Sequence, residues 1–312
     1  MSVANLPAGK RFAFSILDDT DDSTLENVLP VYELLKRLGL RTTKTVWVYN
    51  CPEGSEEFFA ADTLERQPYL EFVRRLARDG YEIAFHGATM ESSPRERTVQ
   101  ALELLHNEFG QYPKIFCNHG FNRDNVYWGE KRFHTRVLRI LARLRQRRAG
   151  GYYGGDDQNS EYFWGDLCRD KVKYVRNFTF KALDVLSMNP EMPYALRATP
   201  YVNYWFSTSD APDVNTFTSL LSRGRIDRLE QDGGVCILST HLGKGFARDG
   251  KVDPQVVDIL QYLSTKDGWF VPVSDILDHL LAQRTVRGHL TAWQLLCLEA
   301  RFFVGQMVGA RS

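Results

Sequence analysis

RFAFSILDDTDD, residues 11–22, passes from an apolar run into four carboxylates within five positions. Phe12, Ala13, Phe14, Ile16 and Leu17 read as a short buried strand. Asp18, Asp19, Asp21 and Asp22 arrive where that strand must end, so acids are delivered to one rim of a sheet. Holding such a cluster together costs energy unless a cation, a proton or substrate chemistry compensates. The plainer reading is an acidic loop opening the next helix, with Asp22 or Ser23 as its N-cap. Asp21 and Asp22 are assigned to that helix start, and Asp18 and Asp19 to chemistry.

Outward from this stretch, the first 120 residues alternate strand and helix. Apolar residues from Leu25 to Leu38 recur at helical spacing and stop at Gly39. Thr42–Tyr49 is β-branched and aromatic, a strand ending at Asn50-Cys51-Pro52. Pro68–Arg78 is helical, Tyr81–Phe85 a strand followed by His86, Pro94–Phe109 helical, and Tyr112–Cys117 a strand running into Asn118-His119-Gly120. Connections this long imply parallel strands with helical crossovers. Ligands gather at the C-terminal strand ends of such folds. Here those ends carry Asp18 and Asp19, Asn50, His86, and Asn118 with His119. His241 follows a later strand, Val235–Thr240, in the same way.

The remainder is less regular. Glu130–Arg147 is expected to be one long helix with an arginine-rich face, either simply solvated or attracted to phosphate. Met188–Tyr201 is Pro-rich and irregular, a candidate wall of a cleft. The glycine-rich LGKGFARDGK after His241 lacks P-loop spacing. A helix at Pro254–Thr265, a strand at Gly268–Val271 and a helix at Val273–Leu281 follow. Thr291–Val308 is an amphipathic helix expected to pack on the barrel or to join a homo-oligomer. The fold class is thus α/β, as one domain over residues 1–285 with a helical extension at 286–312.

Composition excludes several classes. Lys plus Arg equals Asp plus Glu at 39 each, so no bulk field points to nucleic acid. The five cysteines are odd in number and without CxxC pairing, which argues against a disulfide framework or zinc knuckle and fits a reducing compartment. No secretory signal pattern or membrane-spanning apolar run is visible, so a cytoplasmic location is expected.

The chain resembles the polysaccharide deacetylase superfamily, the NodB-homology domain of family-four carbohydrate esterases, over roughly Arg11 to Leu281. Ile16-Leu17-Asp18-Asp19-Thr20 stands where that family has T-F-D-D-G, Gly80–Met90 where it has its histidine motif, and Ile237–His241 where it has Leu-x-His. Trp269–Leu277 suits its last strand and helix. The resemblance implies an irregular seven-stranded (β/α) barrel and a divalent metal, expected to be zinc, held by Asp and two His. Carried over, Asp18 is the base, Asp19 and His86 are metal ligands, and His241 is the acid. Met90 stands where the second metal histidine belongs, and a thioether is a poor ligand for such ions. His119 is the preferred replacement, with Glu91 as the alternative. The family's R-x-P-Y motif is absent, and Asn118, Asn122 and Arg123 are taken as substrate-binding residues in its place. Asp156 or Asp157 stands in for the arginine-orienting aspartate. The implied activity is hydrolysis of an N-acyl group from an amino sugar in surface polysaccharide or nucleotide-sugar metabolism. The rival is a silent barrel that binds a glycan or scaffolds a biosynthetic complex.

Overall fold

The apolar run opens the fold as β1, Phe12–Asp18, with all seven residues buried. The computed structural model describes residues 5–52, 55, 61–149, 151–284 and 289–309, with the backbone alone described at 145–149 and 306–309. From β1 the order runs through β2 (Thr43–Trp47), β3 (Glu82–Gly87), β4 (Ile115–Phe116), β5 (Tyr174–Phe180), β6 (Tyr204–Asp210) and β7 (Val235–Thr240). Every neighbouring pair is parallel, and β7 pairs back onto β1 from Ala13↔Val235 to Asp18↔Thr240. These strands close a seven-stranded parallel barrel with helices outside it, the α/β architecture expected.

Helices α1 (Leu25–Arg37), α2 (Gln67–Arg78) and α3 (Arg95–Phe109) are the first three crossovers. α1 starts at Thr24 rather than at Asp22 or Ser23, through a capping box in which Thr24 and Asn27 satisfy each other's backbone N–H. Asp21 and Asp22 are therefore not helix caps. Between β4 and β5 lie α4 (Arg136–Ala149) and α5 (Gly165–Lys171). After β5 come α6 (Val185–Met188), then β6, α7 (Val214–Leu220) and α8 (Arg223–Asp232). The loop after β7 holds a small antiparallel hairpin, β8 (Ala247–Arg248) and β9 (Lys251–Val252). α9 (Pro254–Ser264) leads to β10 (Gly268–Phe270), followed by α10 (Val273–Ala282) and α11 (Ala292–Gly309).

β1 divides one edge between two partners. Its N-terminal half pairs with β10 at Phe12–Phe14, and its C-terminal end with β2 at Leu17–Asp18. Phe270 seals that junction edge-on against Phe12, at 5.8 Å between ring centroids.

Two expectations are corrected. β6 was not foreseen, because its exposed-looking sequence YWFSTSD follows the irregular Pro-rich segment; in the barrel Ser207, Thr208 and Ser209 are fully buried. The helix expected at Glu130–Arg147 is broken: a 3-10 turn at Gly129–Arg132 gives way to extended backbone at Phe133 before α4 begins. Phe133 is buried there, while Val137, Ile140, Leu141 and Leu144 of α4 are exposed. α11 packs on the barrel: Phe302 lies 4.5 Å from Phe178 of β5, and the fully buried Glu299 carboxylate accepts from the backbone N–H groups of His134 and Thr135. Among the described residues no helix is long and apolar enough to cross a membrane.

Candidate active site

Side chains alternate along an extended chain, and this decides which aspartates meet. Asp18 turns toward α1. Its Oδ2 accepts from Lys44 Nζ at 2.8 Å and Tyr32 OH at 2.9 Å, and its Oδ1 from the Leu242 N–H at 2.9 Å. Thr20 falls on the same side, against the Tyr69 hydroxyl. Asp19 and Asp21 point the other way, into a cavity of about 500 Å³ that also takes in His86, His119, Arg176 and His241.

Asp21 is the hub. Its Oδ1 lies 3.4 Å from His86 Nε2 and 3.7 Å from His119 Nε2, and its Oδ2 lies 3.2 Å from His241 Nε2. Burial raises the Asp21 pKa, but the surrounding imidazoles outweigh it and hold the carboxylate far below its usual range. Among the described residues, Asp21 Oδ1 and both ring nitrogens of His86 are buried without a hydrogen-bond partner. Buried polar atoms are rarely left so. Ligands on a tetrahedral zinc at about 2.0–2.1 Å sit roughly 3.3 Å apart, close to the separations around Asp21 Oδ1. Asp21 Oδ1 thus stands at about that spacing from each imidazole, while the two rings, 5.5 Å apart between centroids, would have to draw together to share one ion with it.

The supporting contacts agree. His119 Nδ1 faces Asn122 Oδ1 at 3.0 Å, while the Asn122 amide is held by the carbonyls of Thr89 and Glu91. That fixes the amide so that its oxygen accepts from Nδ1–H and Nε2 keeps its lone pair. Burial lowers the His119 pKa, which favours the neutral form a metal needs. Trp47 packs on both imidazoles, 4.6 Å from His86 and 5.0 Å from His119, and Gly87 leaves it room: a Cβ there would come within 2.7 Å of the indole.

Among the described residues, the grouping whose ligand atoms all lie within 4.8 Å of one another is Asp19, His86 and Cys117. Its cysteine is the poor ligand. Cys117 is fully buried, does not line the cavity, and burial pushes its thiol pKa well up, whereas metal binding needs the thiolate.

Asp19 is held otherwise. Its Oδ2 accepts from Arg176 Nη1 at 2.5 Å and from Ser239 Oγ at 3.0 Å. Burial raises its pKa, but Arg176, then His86 and His241, bring it below the usual carboxylate value. Asp210 lines the same cavity; burial raises its pKa, eased by Arg176 and reinforced by Asp19. His241 Nδ1 donates to the Pro212 carbonyl at 2.7 Å, leaving Nε2 toward Asp21. Burial pulls the His241 pKa down, yet the Asp21 hydrogen bond and the Asp19 charge raise it overall, favouring a proton on Nε2.

No family model matches the chain, and no curated protein matches its sequence. A solved structure of a candidate polysaccharide deacetylase from Mycobacterium smegmatis superposes with a TM-score of 0.53 at 15% identity, covering 93% of this chain and 97% of that one. The chain shares the fold of that structure. Peptidoglycan deacetylase PdaC from Bacillus subtilis also matches, at TM-score 0.40 and 13% identity over 88% of this chain and 93% of its own.

Within this barrel, Asp19, His86, His119 and His241 are brought to one cavity. Asp18 is not, and its place as base is corrected: strand alternation sends it behind the barrel wall, where three donors occupy its carboxylate. Glu91 does not line the cavity; it accepts from Ser55 Oγ at 2.7 Å. Asn118 borders the cavity, but its side chain is bonded to both backbone groups of Val126. Asn122 acts on His119 rather than facing the cavity. Arg123 is exposed beside Tyr162 and is also corrected as a cavity residue. Asp156 pairs with Lys131 at 2.9 Å and Asp157 with Tyr152, so neither orients an arginine of the site. Arg176, Ser239 and Asp210 were missed, each lying inside or at the end of a strand with no motif to mark it. Asp21 was in view, and the i, i+2 spacing from Asp19 was its available signal.

Proposed function

We propose that this chain is a metal-dependent hydrolase that removes an N-acyl group, most simply acetyl, from an amino sugar. The observation that carries the reading is the set of buried ligand atoms on Asp21 and His86 that have no hydrogen-bond partner among the described residues, beside His119, in the cavity that also holds Asp19 and His241. Two imidazoles and one carboxylate suit zinc, and three protein ligands leave a position open. When bound, the ion polarises the acyl carbonyl and makes water acidic.

The chain's own residues do the rest. Asp19, kept ionised and aimed by Arg176 and Ser239, takes the proton of the attacking water. His241 carries a proton on Nε2 and delivers it to the departing amine, its ring anchored through Nδ1 to Pro212. Asn122 keeps the His119 lone pair directed at the ion. Trp128, Phe133 and Phe302 line the cavity's aromatic side and suit the apolar face of a sugar ring.

The test is metal content and activity on N-acetylated amino sugars for the wild type and Asp21→Ala. The reading expects about one ion per chain and turnover in the wild type, and neither in the variant. Turnover by metal-free protein, equal in both forms, overturns it.

A further inference from the structure

One cation on the cavity wall has no acid paired with it among the described residues. Arg132 ends the 3-10 turn before α4 and lines the same cavity as Asp19, Asp21 and the histidines. Its guanidinium is packed among aromatic faces, 4.2 Å from the ring centroid of Trp128, 5.1 Å from Phe178 and 5.0 Å from Phe302. Nε donates to Asn177 Oδ1 at 3.1 Å and Nη2 to the Asn177 carbonyl, while Nη1 has no hydrogen bond among the described residues. Among those residues no carboxylate forms an ion pair with it, in contrast to Arg176, which is paired with Asp19.

Aromatic faces and one neutral amide offset part of the cost of desolvating a guanidinium, but they bring no negative charge. Burial pulls the Arg132 pKa down to about 9, so it still carries its charge at neutral pH. Arg176, on the same cavity, adds repulsion rather than a partner. A charge kept in a cavity under these conditions is completed by an incoming anion, and a planar guanidinium suits an oxyanion. We propose that Arg132 binds a phosphate or carboxylate group carried by the substrate, so that the acylated amino sugar taken by this enzyme is an anionic one. The assignment of a sugar rests on the hydrolase reading above; the anion site itself does not.

The test is calorimetric binding to the full chain in chelator, so that no metal competes for phosphate. N-acetylglucosamine, N-acetylglucosamine 1-phosphate and N-acetylmuramic acid serve as neutral, phosphate and carboxylate probes. At least one anionic sugar should bind tenfold or more tightly than the neutral one, and which of the two does so identifies the source. Inorganic phosphate should compete with it. Arg132→Met, which keeps much of the stacking, should erase the preference and leave neutral-sugar affinity unchanged, while Arg132→Lys should keep part of it. No anionic preference in the wild type, no competition by phosphate, or an equal loss for all three sugars in Arg132→Met overturns the proposal. The wild-type comparison decides even if the variant fails to fold. Anionic preference in a zinc-loaded enzyme that hydrolyses nothing removes the hydrolase reading alone, and hydrolysis of neutral and anionic sugars without preference removes the Arg132 site alone.

Discussion

Lys44 Nζ lies 2.8 Å from Asp18 Oδ2, and both side chains are completely buried. Removing one member strands the other charge, so Lys44→Ala should cost about 3–5 kcal/mol of unfolding free energy. The paired Asp18→Leu/Lys44→Met replacement should recover most of that and retain activity, since Asp18 faces away from the cavity. Urea unfolding together with a turnover assay checks both points; a stable but inactive pair would return Asp18 to the chemistry.

Asp19 and Asp21 are separable by what each loses. Asp19→Asn should lower kcat by about 10²–10⁴ while metal content stays the same, as for a displaced base. Asp21→Ala should lose metal and activity together. Identical metal loss in both variants would place Asp19 among the ligands.

Metal removal should be visible without turnover. At a free zinc concentration 100 times its Kd, the wild type should gain about 2.7 kcal/mol of stability over the chelated protein. Asp21→Ala should gain none of it. A thermal or denaturant titration with and without zinc reads the difference directly.

The Asp19–Arg176 pair sets a pH dependence. Asp19 has a folded pKa below its unfolded value near 3.8, so its contribution is complete above that value and is lost as pH falls through the lower, folded one. Arg176→Leu removes the main lowering influence and leaves burial, which acts in the opposite direction. The variant should therefore be about 3–5 kcal/mol less stable at pH 7, with the gap to wild type narrowing as pH drops below about 4. Unfolding in chelator from pH 3 to 7 measures it, and a pH-independent gap would mean that the pair is not the cause.

Gly87→Ala places a methyl within 2.7 Å of the Trp47 indole. Overpacking of this kind costs about 1–3 kcal/mol, and since Trp47 braces His86 and His119, zinc affinity should fall as well. Unchanged zinc affinity would show that the indole only fills space.

The strand–helix alternation of the first 120 residues was legible because apolar periodicity and glycine or proline stops coincide there. The same periodicity placed His86, His119 and His241 at strand ends, where the structure holds them in one cavity. What could not be read was orientation. Adjacent Asp18 and Asp19 look equivalent in a line of text, but a period of two puts them on opposite sides of the wall and pairs Asp19 with Asp21. Arg176 is a single charge within an apolar-looking strand, and only its partner 157 residues away explains it. The apolar positions of α4 misled for a related reason: spacing shows that one face is apolar, and not that anything covers it.

The seam between β1 and β7 joins stretches of chain that are far apart in sequence, with Ser239 and His241 each 220 residues from the aspartate they contact. A growing polypeptide that has made only the first four strands and the turns after them already owns Asp19, Asp21, His86 and His119, the proposed base and ligands without the proposed proton donor. Arg176 comes with the fifth strand, and Ser239 and His241 only with the seventh. Closing so distant a pairing is among the slower events in folding. The proposed chemistry therefore switches on as a single late event of ring closure, and a chain stalled short of it could hold metal without reacting.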